Sequence, residues 1–138
     1  MNGPNFLDTN ILVYSYDSSD ARKRAIAQGI VARALAGDGV VSTQVLSEFA
    51  VTLLHKLSPP ARPKDVAEIL DSLSSVRVIG VDYGVVRRAV EARAAYGIHF
   101  YDGMIVAAAE REGCGRILSE DLTAGQSYFQ IPVENPFA

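Results

Sequence analysis

The chain has 138 residues, of which 49% are hydrophobic and 21% charged, a balance that suits one compact domain over 1–138 and needs no second one. No apolar run approaches the roughly 18 residues of a membrane span, and the N-terminus MNGPNFLDTN lacks a basic segment followed by an apolar one, so a cytoplasmic protein is expected. The net charge of -3 argues weakly against a nucleic-acid partner, although acids gathered in one pocket can dominate the sum while basic residues line its rim.

In chain order, Phe6 and Leu7 read as the end of a short buried strand, followed by Asp8, Thr9 and Asn10 and then by ILVY, which reads as a return to the core. From Ser18, SSDARKRAIAQGIVARALAGDG opens with capping residues, carries Ala25, Ile26, Ile30, Val31, Ala34 and Leu35 at helical spacing, and stops at glycines. Val40 and Val41 form a very short strand, and Ser42 or Thr43 caps a helix over TQVLSEFAVTLLHKL that Pro59-Pro60 ends. A further helix, PKDVAEILDSL, starts at Pro63, where the missing N–H costs nothing. VRVIGV, from Val76 to Val81, reads as a buried strand, and Asp82 caps the helix closed by Gly97. YDGMIVAAAEREGCG is the last helix; RILS (Arg116 to Ser119) and IPV (Ile131 to Val133) are strands. Cys114, the single cysteine, can form no internal disulfide and has no companion at metal-ligand spacing, so it reads as a small buried residue. The alternation predicts a three-layer α/β/α sandwich around a short, mostly parallel sheet, in which ligands bind beyond the carboxyl ends of the strands.

That rule singles out acids. Asp8 follows the first strand directly, and Asp121 follows RILS by two residues, so parallel neighbouring strands would deliver both carboxylates to one sheet edge. Glu48 sits at the margin of an apolar helical stripe, and Asp102 shares a side with Ile105 and Val106. Singly, each acid suits a turn, a cap or a solvated edge. Together, crowded like charges raise one another's pKa unless a cation neutralises them, and oxygen-only donors favour Mg²⁺ or Mn²⁺ over zinc. A metal-activated water at such a site suits phosphoryl chemistry.

FLDTNILVY, STQVLSEF, FYDGMIVAAAEREGC and ILSEDLTAGQ, in that order and closing with NPF, resemble the PIN-domain family, most closely the VapC-type toxins of bacterial toxin–antitoxin pairs, over nearly the whole chain. The resemblance implies a Mg²⁺- or Mn²⁺-dependent endoribonuclease in which Asp8, Glu48, Asp102 and Asp121 hold the metal. Thr9, Asn10 and Ser119 match polar supporting positions, and Glu120, which precedes Asp121, could share or replace its role but ranks below it as the fourth acid. It further implies RNA as substrate, a cognate antitoxin as partner and a homodimer. Arg22 to Arg24, His55-Lys56, Arg62 with Lys64, and Arg87-Arg88 with Arg93 are basic clusters that could hold RNA phosphates.

Other classes fit less well. A phosphoacceptor signalling domain wants paired acids after its first strand and a late lysine, but no lysine follows Lys64; an aspartyl phosphatase wants D-x-D where LDTN offers asparagine. A PIN-domain protein that processes or only binds RNA is the alternative. The intact acid set argues against a merely binding protein, and the short chain favours the toxin.

Overall fold

The computed structural model describes residues 3–138. The chain opens with β1 (Asn5–Leu7), all three residues buried, and turns at Asp8 into α1 (Thr9–Tyr16) and then α2 (Ala21–Leu35). β2 (Val40–Ser42) runs straight into α3 (Thr43–Val51), whose last turn widens into a π-helical segment at Thr52–Lys56. After α4 (Pro63–Ser72), β3 (Arg77–Ile79) leads to α5 (Tyr83–Tyr96) and α6 (Phe100–Arg111). β4 (Arg116–Leu118), β5 (Ser127–Tyr128) and β6 (Ile131–Glu134) complete the sheet, in the order β3-β2-β1-β4-β6-β5. All neighbouring pairs are parallel except β5 with β6.

The helices fall into two groups, α5 packed on α6 and α1 packed on α2 and α3. α6 is buried continuously from Gly103 to Ala109, which explains its alanine-rich sequence. Gly103 allows the close approach of α5, because a Cβ there would sit 2.7 Å from the Ala89 carbonyl oxygen. The expected α/β architecture and mostly parallel sheet are therefore present.

VRVIGV, expected as a buried strand, is the edge strand β3, in which Ile79 is buried but Arg77 and Val78 are exposed. Two further local features differ from the sequence expectation. ILVY does return to the core, with Ile11 and Leu12 buried, but as the body of a helix that the sequence did not announce, α1, because the Asp8 side chain accepts the Thr9 N–H at 2.7 Å and caps it there. The other is the β5–β6 hairpin, closed by Phe129 and Gln130 with φ of 47° and 69°. Such two-residue turns normally use Asn-Gly, since the left-handed region crowds Cβ against the backbone. Phe129 is held there: its N–H donates to the Tyr96 hydroxyl at 2.7 Å, and the Arg88 guanidinium lies 3.6 Å from its ring centre. Gln130 is exposed and has no such anchor among the described residues. Gln130→Gly is therefore expected to raise stability by up to about 1 kcal/mol, read as a higher urea midpoint at unchanged slope. A lower midpoint would show that the glutamine side chain contributes more than the turn costs.

Candidate active site

The register of the central strands builds the site. Pairing of Leu7 with Leu118 brings the residues just past each strand together, and the Asp8 N–H donates to the Leu118 carbonyl at 3.0 Å. Asp8 and Ser119 thus stand side by side at the carboxyl edge, and the Ser119 hydroxyl donates to Asp8 Oδ2 at 2.7 Å. The same hydroxyl accepts the N–H groups of Asp121 and Leu122, each at 3.1 Å, and so folds the acidic loop back over the strand ends. Next along the sheet, Ser42 ends β2 and caps α3 by accepting the Val45 N–H, which directs Glu48 to the same edge. Asp102 comes from the first turn of α6.

An open cleft of about 710 Å³ lies at this edge, lined among others by Asn10, Gln44, Glu48, Tyr101 and Asp121; Asp8 and Asp102 are not among its lining residues. Asp8, Glu48 and Asp121 are each oriented by a hydrogen-bond donor, whereas Asp102 has none among the described residues. Thr9 Oγ1 donates to Glu48 Oε1 at 2.7 Å, and Asn10 Nδ2 donates to Asp121 Oδ2 at 3.1 Å. Gln44 Nε2 spans two elements, reaching Glu48 Oε2 at 3.4 Å and the Tyr101 carbonyl at 3.0 Å. Its own carbonyl oxygen is buried without a hydrogen-bond partner among the described residues. An unpaired buried acceptor is costly, so the amide is held for what its nitrogen contacts.

Charge at the edge is uncompensated. Asp8 is only 5% exposed, and its pKa is pushed up to about 6, first by burial and further by Asp121 and Asp102, although Ser119 and the Thr9 N–H oppose the rise. Asp102 is also raised, by burial first and then by Asp121 and Glu48, with His99 opposing. Among the described residues, none of the salt bridges includes Asp8, Glu48, Asp102 or Asp121.

Glu120 is different. It accepts the Tyr14 hydroxyl at 2.6 Å and pairs with Lys23, which holds its carboxyl below the usual range. Its charge is already satisfied, so it is a poor substitute for Asp121. Its backbone N–H bonds Asn10 Oδ1 at 3.3 Å, making it part of the loop's support.

The donor set suits a hard divalent cation: oxygen ligands, several acids without a protein counter-charge, and two carboxyls, those of Asp8 and Asp102, raised by their surroundings. Among the described residues, no three carboxylates, imidazoles or thiols gather tightly enough to form a three-ligand metal site.

Several contributing residues were not singled out in the sequence. Gln44 lies four residues before Glu48 on one helix face, a spacing that would have found it. Tyr14 is distant in sequence from Glu120 and carries no such signal, and Lys23, read in the sequence only as part of a basic cluster that could hold RNA phosphates, is instead the partner of Glu120. Of the basic clusters, Arg88 is engaged by Glu110 and Glu91, Arg62 by Asp65 and Lys23 by Glu120, whereas Lys56 lines the cleft.

Comparison with known proteins agrees with this geometry. The solved VapBC complex of Salmonella typhimurium bound to DNA includes a chain 18% identical to this one, with a TM-score of 0.68 over 96% of this chain and 98% of that one. VapC20 of Mycobacterium tuberculosis, a toxin that cleaves the sarcin–ricin loop, is 20% identical with a TM-score of 0.67 over 93% and 98%. A toxin–antitoxin complex from Klebsiella pneumoniae gives 19% and 0.65 over 96% and 97%. At these identities the likeness is one of fold. No curated protein matches the chain. The PIN domain family model matches residues 6–124, a span that takes in the cleft and all four acids, and the chain belongs to the PIN-domain family.

Proposed function

We propose that the chain is a metal-dependent endoribonuclease, the toxin of a toxin–antitoxin pair, acting in the cytoplasm as a homodimer and restrained by a cognate antitoxin protein. The observation that carries the reading is the set of acids at the carboxyl edge of the parallel sheet, none of them in an ion pair among the described residues. RNA as substrate, and an antitoxin as partner, are supported by the sequence resemblance to VapC-type toxins and by structural neighbours described as a sarcin–ricin-loop-cleaving toxin and a toxin–antitoxin complex.

A divalent cation, Mg²⁺ or Mn²⁺, would supply an acidified water for attack on phosphorus and offset the charge building on the leaving oxygen. Asp8, with Asp121 or Asp102, would hold that cation. Ser119 and the Thr9 N–H each take one lone pair of Asp8 and leave the others free. Asn10 orients Asp121, and Thr9 fixes Glu48 through Oε1. Glu48 Oε2, only weakly engaged at 3.4 Å, is the oxygen left to accept a proton from the attacking water.

The test is cleavage of total cellular RNA by purified protein with Mg²⁺, with Mn²⁺ and with EDTA, beside the Asp8→Asn and Asp102→Asn variants. Discrete fragments that require metal and vanish in both variants are expected, with at least a hundredfold loss of rate. Undiminished cleavage in EDTA or in Asp8→Asn would overturn the assignment of the site.

A further inference from the structure

Tyr101 stands immediately before Asp102 and lines the cleft, yet it is 54% exposed. Its backbone is fixed on both sides, the N–H donating to His99 Nδ1 at 3.1 Å and the carbonyl accepting from Gln44 Nε2 at 3.0 Å. The ring is flanked by His99, with centroids 5.6 Å apart and planes at 25°, and by Phe100 at 5.5 Å and 65°. An aromatic ring on a fixed backbone, left in solvent beside a group of uncompensated acids, is poorly explained by packing. Lys56 lines the same cleft, carried there by the π-helical turn, and has no carboxylate partner among the described residues. Irregular turns of that kind recur at functional sites.

We propose that Tyr101, backed by His99, is a stacking platform for a nucleobase adjoining the scissile phosphate, with Lys56 holding a neighbouring phosphate. The inference rests on the ribonuclease reading above and adds a substrate-binding subsite to it. Stacking on an aromatic face tolerates any base and serves single-stranded nucleic acid, while a lysine without an internal partner contributes through counterion release.

The test uses the full chain in an Asp8→Asn background, without metal, so that the probe stays intact. Binding of an end-labelled adenylate octamer is compared with that of the same ribose-phosphate octamer lacking bases. Tyr101→Ala is expected to weaken binding of the adenylate probe about tenfold and to leave the base-free probe unchanged, whereas Tyr101→Phe stays within about twofold on both. Lys56→Ala is expected to weaken both probes alike and to lower the salt dependence by about one ion. Folding is a small concern at position 101, since the ring is exposed and alanine favours the helix. A Tyr101→Ala protein that binds the adenylate probe as tightly as its parent, or loses equally on both probes, overturns the platform while leaving the nuclease reading intact. A parent protein that binds neither probe counts against RNA as the substrate, and the platform falls with it.

Discussion

Asp8→Asn is expected to abolish RNA cleavage and, in the metal-free protein, to raise folding stability at neutral pH. Asp8 is buried at the strand edge with a pKa of about 6 against an ordinary 3.8. Because the folded state holds the proton more tightly, the stability that goes with protonated Asp8 is fully present below about 3.8 and is lost as pH rises through about 6. That gap corresponds to about 3 kcal/mol. Asparagine removes the charge but cannot accept both the Ser119 hydroxyl and the Thr9 N–H as the carboxylate does, a loss of about 1 kcal/mol. The net expectation is a variant about 1–2 kcal/mol more stable than wild type at pH 8 in EDTA, with the advantage gone near pH 4. Urea unfolding at the two pH values measures it directly. Saturating Mg²⁺ should reverse the order, stabilising wild type by mass action and the variant little. A variant less stable than wild type at pH 8 in EDTA would mean that Asp8 is compensated in the fold and is not held ready for a cation.

The same residue marks the limit of what the sequence disclosed. The strands were legible because buried parallel strands are short apolar runs such as VV and RIL, and most helices because they carry a start and a stop, as Asp82 and Gly97 bound α5. The four acids were legible as an ordered set, each at the end of a strand or on a helix at an apolar margin. α1 was hidden because it has eight residues, too few for the helical period to stand out, and because its cap is Asp8, already read as a strand-end acid. The β5–β6 hairpin was hidden because neither Phe129 nor Gln130 is a turn residue; tertiary contacts from Tyr96 and Arg88 impose the turn. Nor could the sequence tell that of two adjacent acids Glu120 is neutralised and Asp121 is not. That difference depends on Lys23, 97 residues away in sequence and brought close only by the fold.

Ser119→Ala is expected to cost about 2–4 kcal/mol and to lower cleavage at least tenfold even at temperatures where the variant remains folded. Ser119 is fully buried, and its single hydroxyl donates to Asp8 while accepting the N–H groups of Asp121 and Leu122. Alanine leaves those two N–H groups without that acceptor, each at a cost of about 1–3 kcal/mol, and removes a donor that opposes the rise in the Asp8 pKa. Asp8 should then bind its proton more tightly, so that any cation must compete with it up to a higher pH, and the pH dependence of metal binding moves in the alkaline direction. Loosening of the Asp121 turn adds a second defect, because Asn10 alone no longer holds that carboxylate in place. Ser47→Ala is the control: its hydroxyl is hydrogen-bonded too, donating to the Thr43 carbonyl, but at an exposed position, and the change should stay within about 0.5 kcal/mol. Calorimetric Mg²⁺ titration across pH, together with urea unfolding of both variants, separates the two consequences. A Ser119→Ala protein with wild-type stability, or with an unshifted pH profile of metal binding, would show that the strand edge positions Asp8 and Asp121 without the hydroxyl that joins them.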